Sequence, residues 1–326
     1  MNKMINVLSI ILLLQIALAV FLRTSDTIFG GAPDKKLLTS DLSTVNKITI
    51  EEKGGQSLTI EKDKDTWIVP SYFHFPASKE AVNKLIDTLK NMNKGWPVAT
   101  SADAAPRFKV AAEDYVQKLT LANGQAPVVT IFIGSSSGYH KTYLRVDKEN
   151  DIESGEIPSQ QLSTRSDDWF DRSAASVKKD EIAAIELPQL KLEKKDKDFI
   201  LTHDGKADKL DPLLADQVLD DVSNLSISEV LGQEEKPEYG LSQPILTFSV
   251  TPKSGSKVEY KLGALASKEG NFLVLKSSNL PYYLKIDPWV VVRIKQIDAR
   301  GLVARSEQLQ KAKEKGAAAQ QPGKAK

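Results

Sequence analysis

Val45-Asn46-Lys47-Ile48-Thr49-Ile50 and, 137 residues on, Ile182-Ala183-Ala184-Ile185-Glu186-Leu187 place apolar residues at the same three positions. Each stretch leads into a second one, Leu58-Thr59-Ile60-Glu61-Lys62 or Leu190-Lys191-Leu192-Glu193-Lys194, then a charged turn and an aromatic residue, Trp67 or Phe199. A spacing of about 130 residues is far too long for a solenoid, so the chain reads as two tandem copies of one domain. Homologous copies keep register inside elements and lose it in loops. The offset of 137 falls to 132 from Leu58/Leu190 onward, and the whole loss of five lies in one turn. Seven residues, including Gly54-Gly55, separate Ile50 from Leu58, whereas only Pro188-Gln189 separates Leu187 from Leu190. Gly-Gly between alternating stretches marks a hairpin.

Further along, Pro106-Arg107-Phe108-Lys109-Val110 matches Pro237-Glu238-Tyr239-Gly240-Leu241 at an offset of 131. Ile133-Gly134 and Tyr143 match Leu262-Gly263 and Phe272 at 129. The pattern predicts strands over residues 45–51, 57–62, 67–69, 115–121, 128–133 and 142–146 in the first copy, with 245–250, 258–262 and 272–275 mirroring the last three. Asn123-Gly124 and Ser254-Gly255 mark equivalent hairpins. One helix is expected per copy. In the first, Ser78 can cap a helix whose Val82, Leu85, Ile86, Leu89 and Met92 face the sheet. In the second, Asp211 caps, Pro212 takes the first helical position, and Leu214, Val218, Val222 and Leu225 form the stripe. Consecutive strands without steady strand-helix alternation give an α+β class: two tandem repeats, each a mainly antiparallel sheet with one packed helix.

From Met4 to Leu22 the chain carries no charge, and a helix of that length spans roughly 28 Å, close to a membrane's hydrocarbon thickness. The run reads as a signal anchor because it continues through Val20-Phe21-Leu22; Ala17-Leu18-Ala19 also offers the small-residue pattern of a cleavable signal peptide. Either reading exports the rest of the chain to the far side of a membrane. The expected division is residues 1–23 anchor, 24–40 linker, 41–177 first repeat, 178–300 second repeat and 301–326 a polar, largely disordered tail, in which a last exposed helix over Ser306 to Lys315 stays open.

Composition excludes several chemistries. With 44 Lys plus Arg against 43 Asp plus Glu, nothing in the net charge favours a nucleic-acid partner. The absence of cysteine removes thiol catalysis, disulfides, zinc ribbons and iron-sulfur clusters. Three isolated histidines form no metal-binding pair, and the acidic clusters Asp167-Asp168-Asp171 and Asp220-Asp221 lack an alternating calcium-ligand loop. No Gly-Lys-Ser/Thr phosphate loop occurs, so the chain is not itself a transport ATPase. Gly134-Ser135-Ser136-Ser137-Gly138 satisfies Gly-x-Ser-x-Gly, but a nucleophile elbow needs a helix after the Ser, and here a strand-like segment follows. We expect neither enzyme activity nor a cofactor.

The Tyr239-Gly240-Leu241-Ser242-Gln243-Pro244 hexamer, the strand ending Leu262-Gly263 and the closing Trp289 together resemble the bacterial domain of unknown function 4340. Ile131-Phe132-Ile133-Gly134, Thr142-Tyr143-Leu144-Arg145-Val146 and Asp168-Trp169-Phe170-Asp171 fit the same pattern in the first copy. The resemblance covers roughly residues 41–300. It implies an exported accessory component accompanying an ABC-type transport system of the gliding-motility type, with no catalytic residues. The expected role is a membrane-anchored scaffold with protein partners; the alternative is a ligand-binding module with its site in a cleft between the repeats. Candidate interaction residues are Tyr239, Gly240, Leu241 and Pro244 of the hexamer and the aromatic pairs Trp169-Phe170 and Tyr282-Tyr283. Trp67 and Trp289 are expected in the core.

Overall fold

A computed structural model describes residues 11–16, 35–267 and 270–319. Residues 11–16 are helical; the remainder of the apolar N-terminal run and the linker up to residue 34 lie outside the described residues. Among the described residues no helix is long and apolar enough to cross a membrane. The rest is α+β, built on two large antiparallel sheets with a few helices.

The first half contributes β1 (Lys47–Glu52), β2 (Ser57–Asp63), β3 (Thr66–Val69), β4 (Phe75–Pro76), helix α1 (Lys79–Asn91), β5 (Gln117–Asn123), β6 (Ala126–Gly138), β7 (Lys141–Val146) and β8 (Glu153–Gly155). Its sheet runs β4-β3-β2-β1-β5-β6-β7-β8. The second half contributes β9 (Ile182–Leu187), β10 (Leu190–Lys195), β11 (Asp198–His203), β12 (Lys206–Leu210), α2 (Pro212–Ser223), β13 (Ile227–Gly232), β14 (Leu246–Pro252), β15 (Val258–Ser267), β16 (Gly270–Ser277), β17 (Tyr283–Ile286), α3 (Pro288–Lys295) and α4 (Ala299–Ala319). Its nine strands run β12-β11-β10-β9-β14-β15-β16-β17-β13, the same order with one strand added.

Register agrees residue by residue. Ile48 lies opposite Ile60 as Ile185 lies opposite Leu192. Leu119 opposes Ile131 as Phe248 opposes Tyr260. Beyond that the structure corrects one pairing: Ile133 opposes Leu144 and Leu262 opposes Leu275, so the offset there is 131 and Tyr143 corresponds to Val274, not Phe272. Irregularities between Ile133 and Gly138 in β6, absent from the unbroken β15–β16 ladder, shift the two hairpins relative to each other.

The helices pack as their stripes dictate. Val82, Leu85 and Leu89 of α1 and Leu214, Val218 and Val222 of α2 are buried, and the Asp211 carboxylate accepts the Leu213 N–H as a cap. The second half differs from the expected single helix, for α3 and α4 follow β17. Helix α4 occupies much of the expected tail. Asp298 accepts the Arg300 and Gly301 N–H groups at its start, Leu302 and Ser306 are buried, and Lys313 reaches Asp211 at 2.6 Å. A composition poor in large apolar residues is thus held by a cap and polar links. Residues 320–326 lie outside the described residues.

The chain divides into two compact units, one ending at Trp169 and one beginning at Phe170, except that Tyr72–Ser78 of the first half belongs to the second unit. There Phe75, fully buried, packs edge to face with Phe170 at 5.1 Å and Tyr282 at 5.0 Å. Asp171 N–H donates to Pro76 O, and Tyr282 Oη–H donates to His74 O. Phe75→Ala is expected to cost roughly 3–5 kcal/mol, as a buried Phe truncation does. Hydrogen exchange checks where: unchanged protection at Tyr283–Ile286 would show that this segment is not part of the second unit's core.

Two glycines set the close approaches. A Cβ on Gly263 would stand 1.9 Å from Tyr239 O, and one on Gly134 would stand 2.1 Å from Phe108 O. In both halves a 3-10 turn ends in the left-handed region, at Lys109 (φ 58°) and Gly240 (φ 65°), and so lays its carbonyl on the strand. Gly263→Ala is expected to lower stability by about 3 kcal/mol or more. Lys109→Gly is expected to raise it by about 1 kcal/mol, because the exposed Lys109–Asp114 ion pair it removes is worth little. Denaturant unfolding measures both, and opposite signs are required.

Candidate functional site

The two halves differ most where the first hairpin ends. In the first half β1 stays paired with β5 through Ile50↔Leu119, Glu51↔Lys118 and Glu52↔Gln117. An ion pair of 2.8 Å from Lys118 to Glu51 accompanies the last rungs. In the second half the corresponding ladder between β9 and β14 stops at Glu186↔Ser249. Leu187 turns straight back through Pro188-Gln189 to Leu190, so no residue takes the places of Glu51 and Glu52. Leu246 and Thr247 keep β15 on one side, opposite Leu262 and Lys261, and have no ladder partner on the other among the described residues.

A cavity of about 490 Å³ occupies this notch. Leu187 to Leu190 form one wall, Pro244 to Thr247 the other, and Ile294, Lys295 and Ile297 at the end of α3 close it. Eight of the eleven lining residues are apolar by type and Gln189, Thr247 and Lys295 are its polar side chains, yet polar atoms make up more of the exposed lining than apolar ones. Lys295 is the only charged residue lining it and makes no ion pair among the described residues. Glu186, on the last rung, is engaged by Lys257 and Lys191, and the Lys257 ammonium holds its carboxyl below the usual range.

Of the expected interaction residues, only Pro244 reaches this site. Tyr239 and Leu241 are buried with Val274 and Tyr283, and Gly240 supplies the left-handed turn, so the hexamer's first half is a packing element. Its first-half counterpart packs Phe108, Val110, Tyr143 and Ile152 in the same way. Trp169 is 1% exposed, its indole N–H donating to Ser163 O; Phe170 and Tyr282 clamp Phe75, and Tyr283 is also buried. These aromatic side chains are interior groups, not surface anchors. Trp289 reverses its expectation: it is 40% exposed, with the Arg293 guanidinium 3.9 Å from its ring centroid, because α3 buries Val290, Val291 and Ile294 and leaves Trp289 on its other side. Trp67 is buried as expected. Ser136 sits in β6, its hydroxyl donating to Gly138 O in a strand-turn-strand hairpin, not at a strand-to-helix elbow. The walls from Leu187 to Leu190 went unselected in the sequence, although the five-residue shortening of that hairpin was their signal.

The two antiparallel sheets define an α+β protein, and an interrupted ladder opens a notch in the second of them. Residues 67–244, more than half of the chain, match the family described as "Domain of unknown function (DUF4340)", and the chain belongs to that family. No curated protein and no solved structure matches it.

One buried carboxylate stands outside the notch. Glu153 of β8 opposes Leu144 where Leu284 opposes Leu275 in the second half. It is 3% exposed, its Oε2 has no hydrogen-bond partner, and Lys94 beside it is held by Glu149 at 2.7 Å. Burial pushes the Glu153 carboxyl up, against the smaller opposing effects of the Lys94 charge and the Gly95 N–H. A raised folded-state pKa gives stability that is complete below the unfolded value, about 4.3, and lost as pH rises through the folded one. Glu153→Gln is therefore expected to stabilise the protein by on the order of 1 kcal/mol at pH 7 and by much less at pH 4. Unfolding midpoints at the two pH values check this; an equal difference at both would refute it.

Proposed function

We propose that this chain is a non-catalytic accessory or scaffold protein, anchored by its N-terminal apolar run with the two halves outside the cytoplasmic membrane, and that it serves an ABC-type transport system. In this reading the halves are tandem copies of one family domain. The observation that carries it is the unpartnered stretch of β14 at Leu246-Thr247, since an open strand edge is what a protein-binding scaffold offers and a closed fold hides. The apolar run from Met4 to Leu22 supports the anchor by length and lack of charge. The transport association rests on the family resemblance.

A second reading, a binding module for a small hydrophobic or glycan ligand, draws on the cavity at the same notch. The first is preferred because a compact ligand leaves a strand's backbone groups unmatched. Solubilised membranes are to be compared by affinity capture and mass spectrometry, using the full-length protein and a version beginning at Leu37. Transport components should be enriched with the full-length protein and reduced several-fold with the shortened one. Their absence from both captures would remove the transport role.

A further inference from the structure

The first half shows what belongs in the second half's notch. There the place beside β5 is filled by Glu51-Glu52, an extended arm carrying two carboxylates, paired with Lys118 and Gln117. The second half keeps the strand that receives such an arm and lacks the arm. We propose that the notch between β9 and β14 takes an extended acidic peptide segment from a partner protein, added as a short strand beside Leu246-Thr247 with a carboxylate on Lys295. The proposal deepens the scaffold reading above and rests on it.

Three features fix the chemistry of the occupant. Successive residues of a strand turn their N–H and C=O groups alternately to either side, so a stretch paired only with β15 leaves donors and acceptors that match an extended backbone. Proline stands in both walls, as Pro188 and Pro244, and supplies no N–H, so pairing is confined to a short segment, roughly 10 Å for three residues. Leu187, Leu246, Ile294 and Ile297 offer apolar contact to side chains pointing inward, while Lys295 is the single charge and favours an anion.

The outer edges of the same sheet are poorer docking sites. Strand β12 carries Lys206, Asp208 and Lys209, and β13 is broken by two register shifts against β17, both devices that blunt strand addition. At Leu246-Thr247 the interruption beside β14 carries neither a charged residue nor a register shift, and the two prolines restrict pairing to that short stretch without closing it.

The probe is a synthetic peptide copying residues 48–52, Ile-Thr-Ile-Glu-Glu, acetylated, amidated and labelled with an uncharged fluorophore, titrated into the intact protein by anisotropy. Saturable binding is expected, weakened at least tenfold by Lys295→Glu and by replacing both peptide glutamates with lysine. A graft of Glu51 to Ser57 in place of Pro188-Gln189 is expected to close the notch and abolish binding, with circular dichroism confirming that the graft folds. Lys295→Glu, at an exposed position, keeps the test open if the graft does not fold. Absence of saturable binding, or equal affinity for the parent and Lys295→Glu, overturns the proposal. If the peptide fails while membrane capture still enriches transport components, only strand addition falls; binding with an empty capture removes the transport role and leaves the notch.

Discussion

The contact on which the rest of each half depends is a carbonyl laid on a glycine: Tyr239 O over Gly263, and Phe108 O over Gly134. No side chain fits between them, so the segment before β14, or β5, must cross flush against the strand beyond. That crossing aims Tyr239 and Leu241 inward at Val274 and Tyr283, and aims Phe108 and Val110 at their first-half equivalents. It also fixes where the next strand starts. Ile245 N–H donates to Leu262 O just beside the glycine, and β14 runs on from there. The Pro-x-aromatic turn and the Ile/Leu-Gly strand end recur together in both halves because each is the other's contact surface.

Given that common frame, differences between the halves carry the meaning. The closing hairpin is longer in the first half, and its extra residues continue the β1–β5 ladder through Glu52↔Gln117. The shorter hairpin goes with three fewer rungs, those of Ile50, Glu51 and Glu52, and leaves the remaining ladder undisturbed, because the β9–β14 pairs from Glu186↔Ser249 onward stay in register through Thr251. A deletion in a turn is cheap in loop entropy, and what it exposes is backbone. The notch is therefore available without refolding the sheet around it.

Much of this frame was legible in the residues. Alternation located the central strands of both sheets but not β4, β8, β12, β13 or β17, the 3.6-residue stripes located α1 and α2, and Asp211-Pro212 marked a helix start to the residue. The fold class followed from consecutive strands. What periodicity did not reveal was partnership. Phe170 and Tyr282 read equally as surface anchors or as core, and the answer lay in Phe75, some hundred or two hundred residues earlier in the chain. Helix α4 was open in the sequence at Ser306 to Lys315, because the Asp298 cap and the links from Ser306 and Lys313 to Asp211 are polar contacts that a local stripe does not encode. The notch was half legible: the lost five residues were visible, and the interrupted ladder was not, since pairing joins segments sixty residues apart.

The two buried carboxylates show how far similar frames have diverged in electrostatics. Glu153 stands where the second half has Leu284, and burial raises its pKa, so its contribution to stability fades as pH rises above the ordinary carboxylate range. Asp211 is equally hidden but receives the Lys313 ammonium and the Leu213 N–H, and its pKa is lowered. Its contribution is complete above about 3.9 and is lost as pH falls through the folded value. One half thus holds an acid that keeps its proton to higher pH than usual and the other an acid that gives it up at lower pH than usual. The difference traces to partners: the cation nearest Glu153 is already taken by Glu149, whereas α4 extends far enough to bring Lys313 to Asp211. A helix whose composition reads as a polar tail thus supplies the cation that lowers the pKa of the α2 cap.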